Sequence, residues 1–150
     1  MEKDEQKVKR LQMLYAAALA DATLRFSNAG VLMEVTEQKR KEQLKNGASI
    51  AERFGVTTAK GAFEKTVETY GCANFICTDI ADGFVAVCTS CMLQAFAKQL
   101  GSQSPCYIYC LSPIEAMVKG IEEEASFEVE STLWEGSNCL VKVTNPNQND

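Results

Sequence analysis

The chain has 150 residues, of which 46% are hydrophobic and 23% charged, and its formal net charge is −5. This is the composition of a globular domain rather than a disordered chain, and a domain of this length buries roughly 70% of its unfolded surface. The acidic balance leaves no basic face for a nucleic acid, and no run of about 18 apolar residues could span a membrane. Because the sequence contains no histidine, Ser–His and Cys–His catalytic pairs and mixed Cys/His metal sites are excluded.

The N-terminus is charged and is not followed by an apolar signal core, so we expect a cytoplasmic protein in a reducing compartment. Disulfides are rare in such compartments, and the odd count of seven cysteines also argues against a disulfide framework. We therefore expect the cysteines to be free thiols.

Apolar residues recur at three- and four-residue steps in the first part of the chain, which predicts helices. These are expected over 5–27, about 31–54 and about 58–70, with an interruption of the second at Asn46-Gly47. Asp21 and Arg25 on the first helix are four residues apart, so they either pair on its surface or line a ligand pocket. The basic cluster Lys39-Arg40-Lys41 is surrounded by glutamates and is predicted to be a solvated helix face.

After residue 71 the pattern changes from helical to mixed. Two strands joined by an Asp82-Gly83 turn are predicted over 75–79 and 84–87, and two alternating strands over 127–133 and 139–143. Between these pairs we expect a helix over about 90–100 and another that begins at Ser112 and ends at Gly120. Ser112, Pro113 and Glu115 have the spacing of a capping box with proline at the first helical position.

The element order predicts one α+β domain over 1–150, with a helical part 5–70, an α+β part 72–144 and a polar tail 145–150. N-terminal helices are followed by two β-hairpins, which form an antiparallel sheet with helices packed on one face.

The cysteines of the α+β part are the strongest candidates for chemistry. The spacing of Cys88, Cys91, Cys106 and Cys110 is close to that of a four-thiolate zinc site, and an iron–sulfur cluster or a redox dithiol at Cys88 also stays open. Core packing is the alternative for each cysteine, and Cys72 and Cys77 are assigned to it. A sharper group is Cys91, Cys110 and Cys139, because each lies at the edge of a regular element.

Two carboxylates are candidates for a general base. Glu130 shares one strand face with Glu128, whereas Phe127 and Val129 take the other face, so this pair is expected to meet solvent. Glu115 is either a capping-box residue or the base.

Three segments carry a resemblance to a known family: Cys91-Met-Leu-Gln-Ala-Phe-Ala-Lys-Gln-Leu-Gly101, then Cys110 with Ala116 and Gly120, then Glu130-Ser-Thr-Leu-Trp-Glu-Gly136-Ser-Asn-Cys139. On these residues the chain resembles the L-2-amino-thiazoline-4-carboxylic acid hydrolase-like family from Cys88 to Val143. The turn and cysteine at its end are also similar to the 4-vinyl reductase type of small-molecule-binding domain.

The resemblance implies an α+β domain with an internal cavity for a small ligand, and hydrolytic opening of a cyclic thiazoline or amidine. Cys91 would be a nucleophile or pocket thiol, and Cys110 and Cys139 would line the same cavity. Cys88 and Cys106 are either bystanders or helpers in ligand binding. Without histidine, the base would be Glu115 or Glu130.

Two other functions stay open, a binding or sensor module without turnover and a zinc-stabilised domain. We expect a small-molecule partner and neither a nucleic acid nor a membrane. No cofactor is expected, with zinc as the alternative; the oligomeric state stays open, with a homodimer as one candidate.

Overall fold

The computed structural model describes residues 2–146, so residues 147–150 of the predicted polar tail lie outside the described part. The helices are α1 (Glu2–Asn28), α2 (Leu32–Lys45), α3 (Gly47–Phe54), α4 (Ala59–Tyr70), α5 (Met92–Gln99) and α6 (Ser112–Ile121), with a π-helix at Tyr107–Leu111 directly before α6. The strands are β1 (Ile76–Ile80), β2 (Gly83–Cys88), β3 (Ser126–Ser131) and β4 (Cys139–Thr144). The predicted α+β class is confirmed, with helices first and an antiparallel sheet after them. None of the helices within residues 2–146 has the length and apolar character needed to cross a membrane.

The sheet joins the two predicted hairpins edge to edge in the order β1-β2-β4-β3. Strands β2 and β4 pair antiparallel, with Cys88 opposite Cys139 at one end of the ladder. The first hairpin differs from the prediction in its turn, because the turn residues are Ala81 and Asp82 and Gly83 already pairs in β2. A Cβ at Gly83 would collide with the backbone at Val143. This glycine is therefore required by the close approach of β4 rather than by the turn.

One face of the sheet carries the core. Alternate residues of the two central strands are buried: Phe84, Ala86 and Cys88 of β2, and Cys139, Val141 and Val143 of β4. Phe63 of α4 lies over them, with its ring centroid 5.2 Å from that of Phe75 and 5.7 Å from that of Phe84. The period of two in the strands thus places the helical layer on one face of the sheet.

The predicted second helix is two helices, because the backbone at Asn46 (φ −111°, ψ 13°) leaves the helical region. Gly47 and Gly120 then let α3 and α6 approach closely, since a Cβ on either one would collide with the backbone of the other helix. The prediction that Gly120 ends its helix is therefore wrong. It lies inside α6, which continues to Ile121.

The predicted capping box at Ser112 is also wrong. Ser112 has helical backbone angles (φ −67°, ψ −42°), and the chain is already helical through the π-helix before it. No free helix end exists there for the Ser112 side chain to cap. Pro113 lacks an N–H to donate, and the turn before it is a π-turn, in which the Ser112 N–H donates to the Tyr107 carbonyl oxygen.

Candidate functional site

The helical layer encloses a cavity of about 200 Å³. Helices α1 to α6 and the π-helix all contribute to its wall, which is mostly apolar, with residues such as Ala16, Leu19, Ile50, Phe54, Leu93, Ile114 and Met117. A small number of polar groups interrupt this wall: Gln12, Lys39, Gln43, Thr66, Tyr70, Tyr109 and the thiols of Cys72 and Cys110. An apolar cavity with a few polar groups is the usual form of a small-molecule site.

Two polar side chains of α2, one turn apart, reach the cavity together. Lys39 Nζ donates a hydrogen bond to the Ile108 carbonyl oxygen at 2.8 Å and lies 4.3 Å from the centre of the Tyr109 ring. Burial lowers the pKa of Lys39. The Oε1 atom of Gln43 is buried and accepts no hydrogen bond from any residue of the described chain. A buried acceptor without a partner is costly, so a donor on a bound molecule would relieve that cost.

The rings of Tyr15 and Tyr70 stack with centroids 5.4 Å apart, and both line the cavity. Tyr15 is 46% exposed, so this pair lies where the cavity meets solvent. The side-chain amide of Gln12 donates to the Thr69 carbonyl oxygen at 3.1 Å, which ties α1 to the last turn of α4. This edge of the cavity is therefore held by contacts between two helices that are distant in sequence.

A second, much smaller void lies beside the cavity, and its wall combines several cysteines with apolar residues such as Phe75 and Leu133. It measures about 20 Å³ and is lined by Cys88, Cys91, Cys106, Cys110 and Cys139. This is room for about one water molecule, not for a substrate. No group of three or more Cys, Asp or Glu side chains within residues 2–146 is arranged to hold a metal ion. The geometry thus brings the five predicted cysteines together without favouring a zinc site.

The two spaces share a wall. Cys110 and Leu93 line both, whereas Cys72 lines the cavity and Cys91 lines the void. Of the three cysteines that the resemblance singles out, only Cys110 borders the cavity. Cys91 and Cys139 lie behind its wall.

Cys91 differs from the other thiols in its electrostatic surroundings. Its pKa is lowered to about 7, first by the neighbouring Cys72 thiol, which favours the Cys91 thiolate, and then by the backbone N–H groups of Gln94 and Leu93. Cys91 is the residue before α5, so those N–H groups are the unpaired donors of a helix N-terminus. Cys72 takes the opposite role, because the neighbouring Cys91 and burial raise its pKa.

The other cysteines are held as neutral thiols. Burial raises the pKa of Cys139 to about 12 and that of Cys77 to about 11, and it raises the pKa of Cys110 well above its usual value. Burial also raises the pKa of Cys88 and Cys106. All seven cysteines are free, and Cys91 is the one whose pKa is lowered.

The two candidate bases lie elsewhere. Glu115 accepts hydrogen bonds from Arg40 at 2.9 and 3.2 Å, and Lys119 Nζ lies 3.5 Å from it. It therefore belongs to a half-buried ion-pair network between α2 and α6, in a cleft separate from the cavity. Glu130 is exposed on β3, at the point where the pairing of β3 and β4 shifts register. Neither carboxylate lines the cavity or the void.

Asp21 and Arg25 form the surface pair that was one of their two predicted roles. Their side chains are 3.1 Å apart and are 55% and 70% exposed, respectively. They do not line the cavity.

Three residues of this site were not singled out from the sequence. Cys72 was assigned to core packing, and it does contact the core, but it also borders the cavity beside Cys91. Lys39 was predicted to lie on a solvated face, and Gln43 carried no signal. Lys39 and Gln43 are four residues apart, and this spacing on one helix face was the available clue.

In comparisons with known proteins, no family model, no curated protein and no solved structure matches the chain.

Proposed function

We propose that the chain binds a small molecule in the cavity of its helical layer. The observation that carries this proposal is the buried Oε1 atom of Gln43, an acceptor without a partner in residues 2–146, in the wall of an apolar cavity. Natural proteins rarely leave such an atom unsatisfied unless another molecule completes it. Lys39 stands one turn away, so the polar end of the ligand would meet a donor and an acceptor together.

The cavity sets the size and chemistry of the ligand. Its volume of about 200 Å³ is below the range of about 300–1,000 Å³ that is typical for drug-sized ligands, so the ligand is compact. It would present an N–H or O–H group to Gln43, a carboxylate or other acceptor to Lys39, and an apolar or sulfur-containing body to the remaining wall. A cyclic amidine or thiazoline that carries a carboxylate meets these requirements.

The test is a binding titration with 2-amino-thiazoline-4-carboxylate and a panel of small amidines and carboxylates. For a compound that binds, Gln43→Met should weaken binding about 3- to 10-fold, the value of one neutral hydrogen bond. Gln38→Met is the matched control, because Gln38 is exposed on the same helix. Equal affinity of the Gln43 variant and the control would contradict the proposed contact.

Hydrolysis is the second candidate, and the Cys72–Cys91 pair favours it. In ring opening, water adds to the amidine carbon and the carbon–sulfur bond breaks. The water oxygen becomes a carbonyl oxygen, and its two protons go to the ring nitrogen and the leaving sulfur. A thiolate at Cys91 could take part as nucleophile or base, provided that the reacting carbon reaches it past Cys72 and Cys110.

Product formation should be followed by chromatography for the parent protein and for Cys91→Ser, Cys139→Ser and Cys77→Ser. Cys77 is a half-buried thiol of β1 that lines neither space, so its variant is the control. Loss of turnover in Cys91→Ser alone would support a reacting thiol. Undiminished turnover in both Cys91→Ser and Cys139→Ser would exclude a catalytic role for these thiols. If the parent protein binds the compound but forms no product, the cavity binds its ligand without turnover.

A further inference from the structure

The segments that carry Cys72 and Cys91 are fastened side by side. The N–H of Met92 donates to the Cys72 carbonyl oxygen at 2.8 Å, and Ala73 forms an antiparallel bridge with Cys91. In this bridge Cys91 is opposite Ala73, and Cys72 is the residue next to Ala73, so the two cysteines are diagonal neighbours on paired antiparallel segments. Both side chains also pack against the same small cluster of Ala20, Leu93 and Ala97, and each thiol is the first cause of the other's pKa shift.

The two cysteines also differ in a way that suits successive roles. Cys91 lies at the N-terminus of α5 with two backbone N–H groups near its sulfur, which favours the thiolate that reacts with oxidants. Cys72 keeps its proton and lines the cavity, so small molecules in the cavity come close to the pair. Both side chains are half-buried rather than sealed in the core.

We propose that Cys72 and Cys91 are a redox pair that a hydroperoxide converts to an intramolecular disulfide. The Cys91 thiolate attacks the terminal peroxide oxygen, the O–O bond breaks, and the departing alkoxide or hydroxide takes a proton to leave as an alcohol or water. Cys91 is then a sulfenic acid. The Cys72 sulfur attacks the Cys91 sulfur, the S–O bond breaks, and the departing hydroxide leaves as water with the Cys72 proton. A dithiol then reduces the disulfide to the two thiols by thiol–disulfide exchange and is itself oxidised to a disulfide.

This site is independent of the proposed ligand, since it needs no occupant of the cavity. The disulfide would, however, fix the cavity wall at Cys72 to the start of α5. Oxidation would thereby link Cys72, in the cavity wall, covalently to Cys91, which lines the void behind that wall.

The experiment treats the reduced full-length protein with one equivalent of hydrogen peroxide, blocks the remaining thiols by alkylation and maps the peptides without reduction. We expect the loss of two hydrogens per chain, a Cys72–Cys91 cross-link as the first product, and its removal by dithiothreitol. A first disulfide between any other pair, or oxidation of Cys91 to a sulfinic acid without a cross-link, would overturn the proposal.

Variants separate the two roles. Cys72→Ser should leave a sulfenic acid at Cys91 that dimedone traps, and Cys91→Ser should slow the first oxidation by about tenfold or more. Cys77→Ser should behave as the parent protein. Oxidation of Cys91→Ser at the parental rate would contradict the assignment of Cys91 as the reacting thiol. If a variant fails to fold, as seen by circular dichroism, the peptide map of the parent protein decides the question alone.

Discussion

Replacement of Gln43 by methionine should stabilise the ligand-free protein, which is the opposite of the usual effect of a substitution at a half-buried position. The Oε1 atom of Gln43 is buried and receives no hydrogen bond from residues 2–146, so the folded state bears the cost of its desolvation. That cost is about 1–3 kcal/mol for an unsatisfied buried group. Methionine has a similar length and no such acceptor, so the variant keeps most of the packing.

We therefore expect Gln43→Met to raise the free energy of unfolding by about 1 kcal/mol, which for a chain of this size is a rise in Tm of about 2–4 °C. Urea titration monitored by circular dichroism measures it, with Gln38→Met as the exposed control and an expected change within about 0.5 kcal/mol. A decrease of about 1 kcal/mol or more in the free energy of unfolding of Gln43→Met would contradict this expectation, because it would mean that Gln43 makes a favourable contact in the empty protein.

Three further predictions follow from other contacts. Iodoacetamide should alkylate Cys91 first, and the rate at Cys91 should fall as the pH drops through about 7, because the thiolate is lost below the lowered pKa. Alkylation of Cys77, whose pKa is raised, at the same rate would contradict this prediction. Arg40→Met should lower the free energy of unfolding by about 2 kcal/mol, because it leaves the carboxylate of Glu115, which is 10% exposed, paired with Lys119 alone. Urea titration measures this, with the exposed Lys41→Met as control. A change in Arg40→Met no larger than that of the control would count against the prediction. Gly120→Ala should destabilise the protein by about 3 kcal/mol through its collision with α3, whereas Gly136→Ala, at an exposed turn with space for a Cβ, should change stability little.

The fold could be predicted largely because its signals are local. The period-two alternation in β2 and β4 and the three- and four-residue steps in α1 each report one buried face. The start of α6 could not be predicted in the same way. Pro113 is compatible both with the first turn of a helix and with a position after a π-turn, and the sequence does not distinguish them.

The candidate site could be predicted only in part. The grouping of Cys88, Cys91, Cys106, Cys110 and Cys139 follows from the hairpin register and the short α5, and the structure does bring these sulfurs around one void. The roles of Cys72, Lys39 and Gln43 depend instead on contacts between segments distant in the chain. Lys39 reaches the carbonyl of Ile108, and the bridge between Ala73 and Cys91 brings Cys72 beside Cys91. No local sequence pattern predicts either contact.

A nuclear magnetic resonance screen of the ¹⁵N-labelled protein with small amidines, thiazolines and carboxylates would show whether the helical cavity is a ligand site. Binders should shift backbone amide signals around the cavity, above all those of Lys39, Gln43 and Tyr70, and the shifts should diminish in Gln43→Met. Binders whose shifts cluster away from these residues, or a panel of this chemistry that produces no shifts at all, would contradict it.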